Sequence, residues 1–127
     1  MTTVEPALNI LLVEDEPINQ KVVQFMLDNL GCRYDSANTG ASALELAQKN
    51  TYDLIFMDIQ LPDLNGIEVT QKLREAGIYT PIIATTAYSF EDELHSFITA
   101  GMNDVLLKPF RQEQINHMIR KWGKLPV

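Results

Sequence analysis

The chain has 127 residues, 46% of them hydrophobic, which suits one compact domain with one core and leaves no room for a second. Its 17 Asp and Glu against 10 Lys and Arg give a formal net charge of -7, and with no basic stripe this excludes a surface that tracks nucleic-acid phosphates. Cys32 is the lone cysteine, so neither an internal disulfide nor a cysteine-based zinc site can form.

In chain order, residues 1–7 with Pro6 read as a flexible lead-in. The opening "MTTVEPALN" lacks the basic and apolar regions of a signal peptide, and no apolar stretch approaches a membrane span, so a cytoplasmic domain is expected. The run "NILLVEDE" predicts a strand over about 8–13 that delivers Glu14 and Asp15. Pro17 opens a helix to about residue 30, with Val22, Val23, Met26, Leu27 and Leu30 at helical spacing and Gly31 as its C-terminal cap. Ile18 and Phe25 lie off the centre of that stripe, either exposed or widening it. Cys32 reads as a small buried hydrophobe at the start of a second strand over 33–37. A helix over 40–49 rests on Leu44 and Ala47, and "DLIFMD" gives a strand over 53–57 that delivers Asp58. A third helix over 65–76 is carried by Ile67, Val69 and Leu73, and "PIIATT" gives a strand over 82–85 that delivers Thr86. Leu94, Phe97 and Ile98 carry a fourth helix before Gly101, and the strand over 104–107 in "VLLKP" delivers Lys108. Ile115, Met118, Ile119 and Trp122 carry a fifth helix, followed by the tail 124–127; His95 and His117 fall on polar helix sides.

Strict βα alternation implies a doubly wound α/β fold, a five-stranded parallel sheet with helices on both faces. In such a sheet ligands sit outside the carboxyl ends of the strands, so three carboxylates, one hydroxyl and one ammonium meet there. Singly, Asp or Thr after a strand is a helix cap or turn former, and Lys-Pro is a solvated loop. Five such residues at the ends of four strands are a more specific pattern. Clustered carboxylates repel and need compensation, from Lys108 and from a hard cation such as Mg²⁺ or Mn²⁺, because the donor set is all oxygen. A carboxylate there can accept a phosphoryl group as an aspartyl phosphate; Asp58 is the candidate nucleophile, Lys108 neutralises phosphoryl oxygens and the Thr86 hydroxyl hydrogen-bonds one of them.

The segments "ILLVEDEPINQ", "YDLIFMDIQLPDLNG", "PIIATTA" and "GMNDVLLKPF" resemble the receiver domains of two-component response regulators, from about 8 to 122, within an expected domain over residues 8–123. The resemblance implies the flavodoxin-like strand order 2-1-3-4-5. It further implies Asp58 as phosphoacceptor, Asp15 as a direct metal ligand, Glu14 supporting through water and the Gln60 backbone carbonyl as another ligand. Thr86 and Lys108 become the phosphoryl-sensing pair, and a cis peptide is expected between Lys108 and Pro109. "INQKVV", "GMND" and the terminal "KW" are most similar to receivers of hybrid sensor histidine kinases, which exchange phosphoryl groups with a histidine phosphotransfer protein. Any kinase activity then belongs to another part of a parent chain.

Val105 stands where family members often carry an aromatic switch residue, so a small conformational response is expected. Gln60 and Tyr88 are expected to tune a slow autodephosphorylation. Ile18, Phe25, Pro109 and Phe110 are expected to form an apolar docking patch for a helical partner bearing phosphohistidine. Among rivals, a Mg²⁺-dependent aspartyl-phosphate phosphatase would want a second Asp where Gln60 stands, so no turnover of external substrates is expected. A flavin-binding module would want a first loop rich in Ser, Thr and Gly, where this one is acidic. A pure interaction domain would carry a vestigial pocket, against which the complete set of five residues argues.

Overall fold

The computed structural model describes residues 8–87 and 91–123, with the backbone alone described for 91–94. The expected lead-in 1–7, the tail 124–127, Tyr88 and the Leu94 side chain lie outside the described residues. Ten elements alternate: β1 (Asn9–Val13), α1 (Pro17–Asn29), β2 (Arg33–Ala37), α2 (Gly40–Lys49), β3 (Leu54–Asp58), α3 (Gly66–Glu75), β4 (Ile82–Thr86), α4 (Glu91–Ala100), β5 (Asp104–Leu107) and α5 (Gln112–Trp122). The strands pair in parallel in the order β2-β1-β3-β4-β5, the flavodoxin-like arrangement.

Side chains alternate across a strand, so the sheet divides the core in two. Leu11, Val13, Ile55, Met57 and Ile82 pack with Ala43 and Ala47 of α2, Val69 and Leu73 of α3 and Phe97 of α4. Ile10, Leu12, Leu54, Phe56 and Ile83 pack with Val23 and Leu27 of α1 and with Ile115, Met118 and Ile119 of α5. Covered on both faces, β3 and β4 are buried at every position, which is why both read as unbroken apolar runs. Each runs one residue further than its expected end, to Asp58 and Thr86. Backbone bonds from Ile59 N–H to the Thr85 carbonyl (3.2 Å) and from Lys108 N–H to the Thr86 carbonyl (2.8 Å) carry the ladder past them. The polar residues are thus held by the sheet rather than by loops.

Three expectations are corrected. Val22 is 47% exposed, because Val23 and Leu27 take the inward face of α1 and turn Val22 outward. Ile98 is likewise exposed, next to an inward Phe97. Cys32 lies half-buried in the turn before β2, at the margin of the α1–α5 side of the core, and burial raises its thiol pKa. Trp122 packs against the same side of the core, as its place in the stripe of α5 predicts, with its indole N–H donating to Asp104 Oδ2 at 2.9 Å.

At the opposite end of the sheet from Asp58, Arg74 joins two loops. Its Nε and Nη2 donate to the Gly101 carbonyl (3.0 and 2.7 Å), Nη1 to the Ile78 and Thr80 carbonyls (2.9 Å each) and Nη2 also to Asn103 Oδ1 (3.0 Å). Asn103 Oδ1 accepts the Ile82 N–H as well, at 2.9 Å, which fixes the start of β4. Gly101 has φ 110°, and a Cβ there would sit 2.9 Å from Arg74 Cγ, so the turn requires glycine twice over.

Candidate functional site

At the carboxyl end of the sheet, Glu14 follows β1 directly. Its N–H donates to the Ala37 carbonyl (3.0 Å) and its own carbonyl accepts from Gln20 Nε2 (3.0 Å). The next turn caps α1, with Glu16 Oε1 accepting the Ile18 N–H at 2.9 Å, and Pro17 sits at the first helical position where no donor is needed. This tight entry leaves Glu14 buried and Asp15 exposed at the mouth. Asp58, the last residue of β3, is buried, and its Oδ1 accepts the Gln60 N–H at 3.0 Å. Lys108 Nζ lies 2.9 Å from Glu14 Oε1 and 3.2 Å from Asp58 Oδ2. Thr86 is buried at the end of β4, and the Lys108–Pro109 peptide is cis.

Glu14, Asp15 and Asp58 each bring one oxygen within 4.8 Å of the other two. With Gln60, Thr86 and Lys108 they line a cavity of about 230 Å³. Three carboxylates against one ammonium leave two negative charges in excess. Burial, then repulsion from Glu14, pushes the Asp58 pKa up to about 6, partly offset by Lys108 and the Gln60 N–H. Burial alone would lower Lys108, but its hydrogen bond to Glu14 and the charges of both carboxylates carry it above its ordinary value. Ligands of a hard divalent cation are oxygens, and this donor set with its surplus charge suits Mg²⁺ or Mn²⁺.

Several residues at the site escaped the sequence. A Cβ on Gly66 would run into the Asp58 carbonyl oxygen, so glycine alone lets α3 begin directly behind Asp58. Asn19 lines both the acidic cavity and a neighbouring one of about 330 Å³, which is also walled by Val22, Val23, Ala87, Pro109 and Phe110. Ile18 and Phe25 are 71% and 65% exposed and do not line that second cavity; Val22 does. With Val22 the two form a second, outward stripe at i, i+4 and i+7 of α1. Phe110 is half-buried against the α1–α5 side of the core. Val105 lies opposite Ala84 in the sheet and packs against the other side.

A model of the response regulator receiver domain family matches residues 10–120. The chain belongs to that family. The aerobic respiration control sensor protein ArcB of Escherichia coli is 40% identical over 120 residues, 92% of this receiver chain and 15% of that protein. Hybrid signal transduction histidine kinase L of Dictyostelium discoideum is 38% identical over 123 residues, 91% of this chain and 7% of that protein. The chain therefore spans a small part of the curated relatives it matches. Among solved structures, the receiver domain of sensor histidine kinase PA1611 from Pseudomonas aeruginosa, with magnesium in its active site cleft, is 40% identical with TM-score 0.84, covering 91% of this chain and 97% of that one. A chain in the co-crystal structure of the Saccharomyces cerevisiae phosphotransfer protein Ypd1 with the receiver domain of Ssk1 is 31% identical with TM-score 0.85, covering 95% and 92%.

Proposed function

We propose that this receiver takes a phosphoryl group onto Asp58 from a phosphohistidine, borne by a histidine kinase or a histidine phosphotransfer protein, and signals or relays it through protein contacts. The observation that carries the reading is Asp58 itself. It is buried at a strand end, crowded by Glu14, gripped on Oδ1 by the Gln60 N–H and faced on Oδ2 by Lys108. With a pKa of about 6 it is mostly ionised at neutral pH and ready as a nucleophile.

One Asp58 oxygen attacks phosphorus, and an O–P bond forms as the P–N bond to the imidazole breaks. The electron pair returns to the ring nitrogen, and because the other nitrogen of the phosphohistidine ring carries a proton, the donor leaves as a neutral histidine. Lys108, released from Asp58, neutralises a phosphoryl oxygen, and the Thr86 hydroxyl donates to another. Asp15, Asp58 and the Gln60 carbonyl would hold Mg²⁺ or Mn²⁺, with Glu14 in support. When bound, such a cation supplies charge neutralisation to the transferring group. Gln60 in place of a second Asp offers no acid for turnover of outside phosphoesters, and hydrolysis of the adduct is slow, with Gln60 and Tyr88 as its tuners.

The outward stripe Ile18, Val22 and Phe25, beside Pro109 and Phe110, forms the docking face for a helix that presents phosphohistidine. The hybrid-kinase relatives and the Ypd1 complex support this class of partner. No helix among the described residues is long and apolar enough to cross a membrane, and we place the domain in the cytoplasm.

Intact mass after incubation with acetyl phosphate tests the reading, with and without Mg²⁺, on wild type, Asp58→Asn and Ile18→Asp. A single Mg²⁺-dependent adduct is expected, absent from Asp58→Asn and unchanged in Ile18→Asp. With a phosphorylated histidine phosphotransfer protein as donor, Ile18→Asp slows about tenfold, which is the effect of losing about 1.4 kcal/mol of docking energy. No adduct under any condition would leave an interaction domain with a vestigial pocket.

A further inference from the structure

We propose that Asp63 is a positioning residue for the phosphoacceptor site, tying the loop that carries Gln60 to the N-terminus of α2. The inference rests on the reading of Asp58 and Gln60 given above. The first four N–H groups of a helix lack partners within it, and in α2 these are divided between two sources. Thr39, the N-cap, and Ser42 serve the outer two through a capping box: Ser42 N–H donates to Thr39 Oγ1 at 3.0 Å and Thr39 N–H to Ser42 Oγ at 3.2 Å. The middle two reach across the molecule. Gly40 N–H donates to Asp63 Oδ1 at 2.7 Å and Ala41 N–H to Asp63 Oδ2 at 3.0 Å.

A carboxylate suits this end of the helix dipole, and the two N–H groups hold Asp63 below the usual carboxylate range. Packing reinforces the tie, since a Cβ on Gly40 would come within 2.9 Å of Leu64 Cβ. The ends of the same loop are already held. Gly66 N–H donates to the Ile59 carbonyl at 2.8 Å, and Gln60 N–H to Asp58 Oδ1 at 3.0 Å. Asp63 secures the middle, so the placement of Gln60 at the acidic cavity depends on α2, an element that contributes no residue to that cavity.

The test compares wild type, Asp63→Ala and Thr39→Ala. Thr39→Ala removes the helix's own cap while leaving the tie, and so controls for loss of α2 stability alone. Three quantities are read: hydrogen exchange at the Gln60 amide without metal, Mg²⁺ affinity, and the rate of phosphorylation by acetyl phosphate at low and saturating Mg²⁺. In Asp63→Ala the Gln60 amide exchanges about tenfold faster and Mg²⁺ binds about tenfold more weakly, in the manner of a lost outer-shell contact. Saturating Mg²⁺ restores the phosphorylation rate. Thr39→Ala leaves all three near wild type. Equal effects in the two variants, or wild-type exchange at Gln60 in Asp63→Ala, overturn the proposal. Wild-type protein that binds no Mg²⁺ and takes no phosphoryl group refutes the functional reading instead, and exchange at Gln60 then still decides whether Asp63 holds the loop.

Discussion

Lys108 and Arg74 are both half-buried cations at loops that leave the sheet, one at each end of it, and their partners differ in kind. Lys108 meets the carboxylates of Glu14 and Asp58, in a cluster where negative charge still exceeds positive. Arg74 meets only neutral oxygens, and all five of its N–H donors are used. The Arg74 arrangement is complete and leaves nothing for a ligand to satisfy. The Lys108 arrangement is not, because Asp58 remains strained by burial and by Glu14. One end of the domain is therefore built for stability, and the other retains electrostatic free energy that a bound cation can release.

The largest effect expected from this contrast is at Arg74. Arg74→Ala removes five charge-assisted hydrogen bonds and takes the guanidinium from three backbone carbonyls, Asn103 Oδ1 keeping the Ile82 N–H, and should lower the unfolding free energy by about 3 kcal/mol in a urea titration. Arg74→Lys should recover less than half, since a point-like ammonium cannot span the two loops as the planar guanidinium does. A loss below about 1 kcal/mol would erase the difference between the two ends.

The opposite sign is expected at Asp58. Its folded pKa of about 6 lies above the ordinary 3.8, so the folded state binds the proton more tightly than the unfolded chain does. In metal-free protein the Asp58 contribution to stability is then greatest below about pH 4, falls as pH rises and is lost above about pH 6. Asp58→Asn should flatten that limb and stabilise the metal-free protein at pH 7 by on the order of 2 kcal/mol. Adding Mg²⁺ should stabilise wild type and narrow the gap. A destabilising Asp58→Asn would show that Lys108 already compensates the cluster.

The two ends also differ in how far they could be read from the sequence. The acidic site was legible because each of its residues ends an apolar run, and parallel strands bring such endings together whatever the loops do. Arg74 was not, because four of its five hydrogen bonds go to backbone carbonyls, which every residue type carries, and its other partner, Asn103, is 29 residues away. Asp63 was hidden for the same reason, since its partners are the backbone N–H groups of Gly40 and Ala41. Helical spacing set the inward face of α1 correctly at Val23 and Leu27, yet misplaced Val22. A residue 100° from its neighbour can border either stripe, and on α1 it is the packing of Val23 and Leu27 that leaves Val22 on the outer one.

A third cation gives the smallest effect and completes the series. Lys121 Nζ lies 3.0 Å from Asp104 Oδ2 and 5.6 Å from the centre of the Trp122 ring, with half of its side chain in solvent. Burial would raise the Asp104 pKa, but hydrogen bonds from the Trp122 indole, Lys121 and the Val105 N–H outweigh it and hold the carboxyl low. Its stabilising contribution is therefore present above the ordinary carboxylate range and is lost as pH falls through the depressed folded value. Lys121→Met removes one of three donors, and the other two remain. The expected change in unfolding free energy at pH 7 is below about 0.5 kcal/mol, and it should shrink further in high salt. A loss comparable to that of Arg74→Ala would mean that the partner's charge, rather than burial and the number of satisfied donors, sets what a cation contributes here; the neutral-oxygen clamp would then have no special claim on the fold.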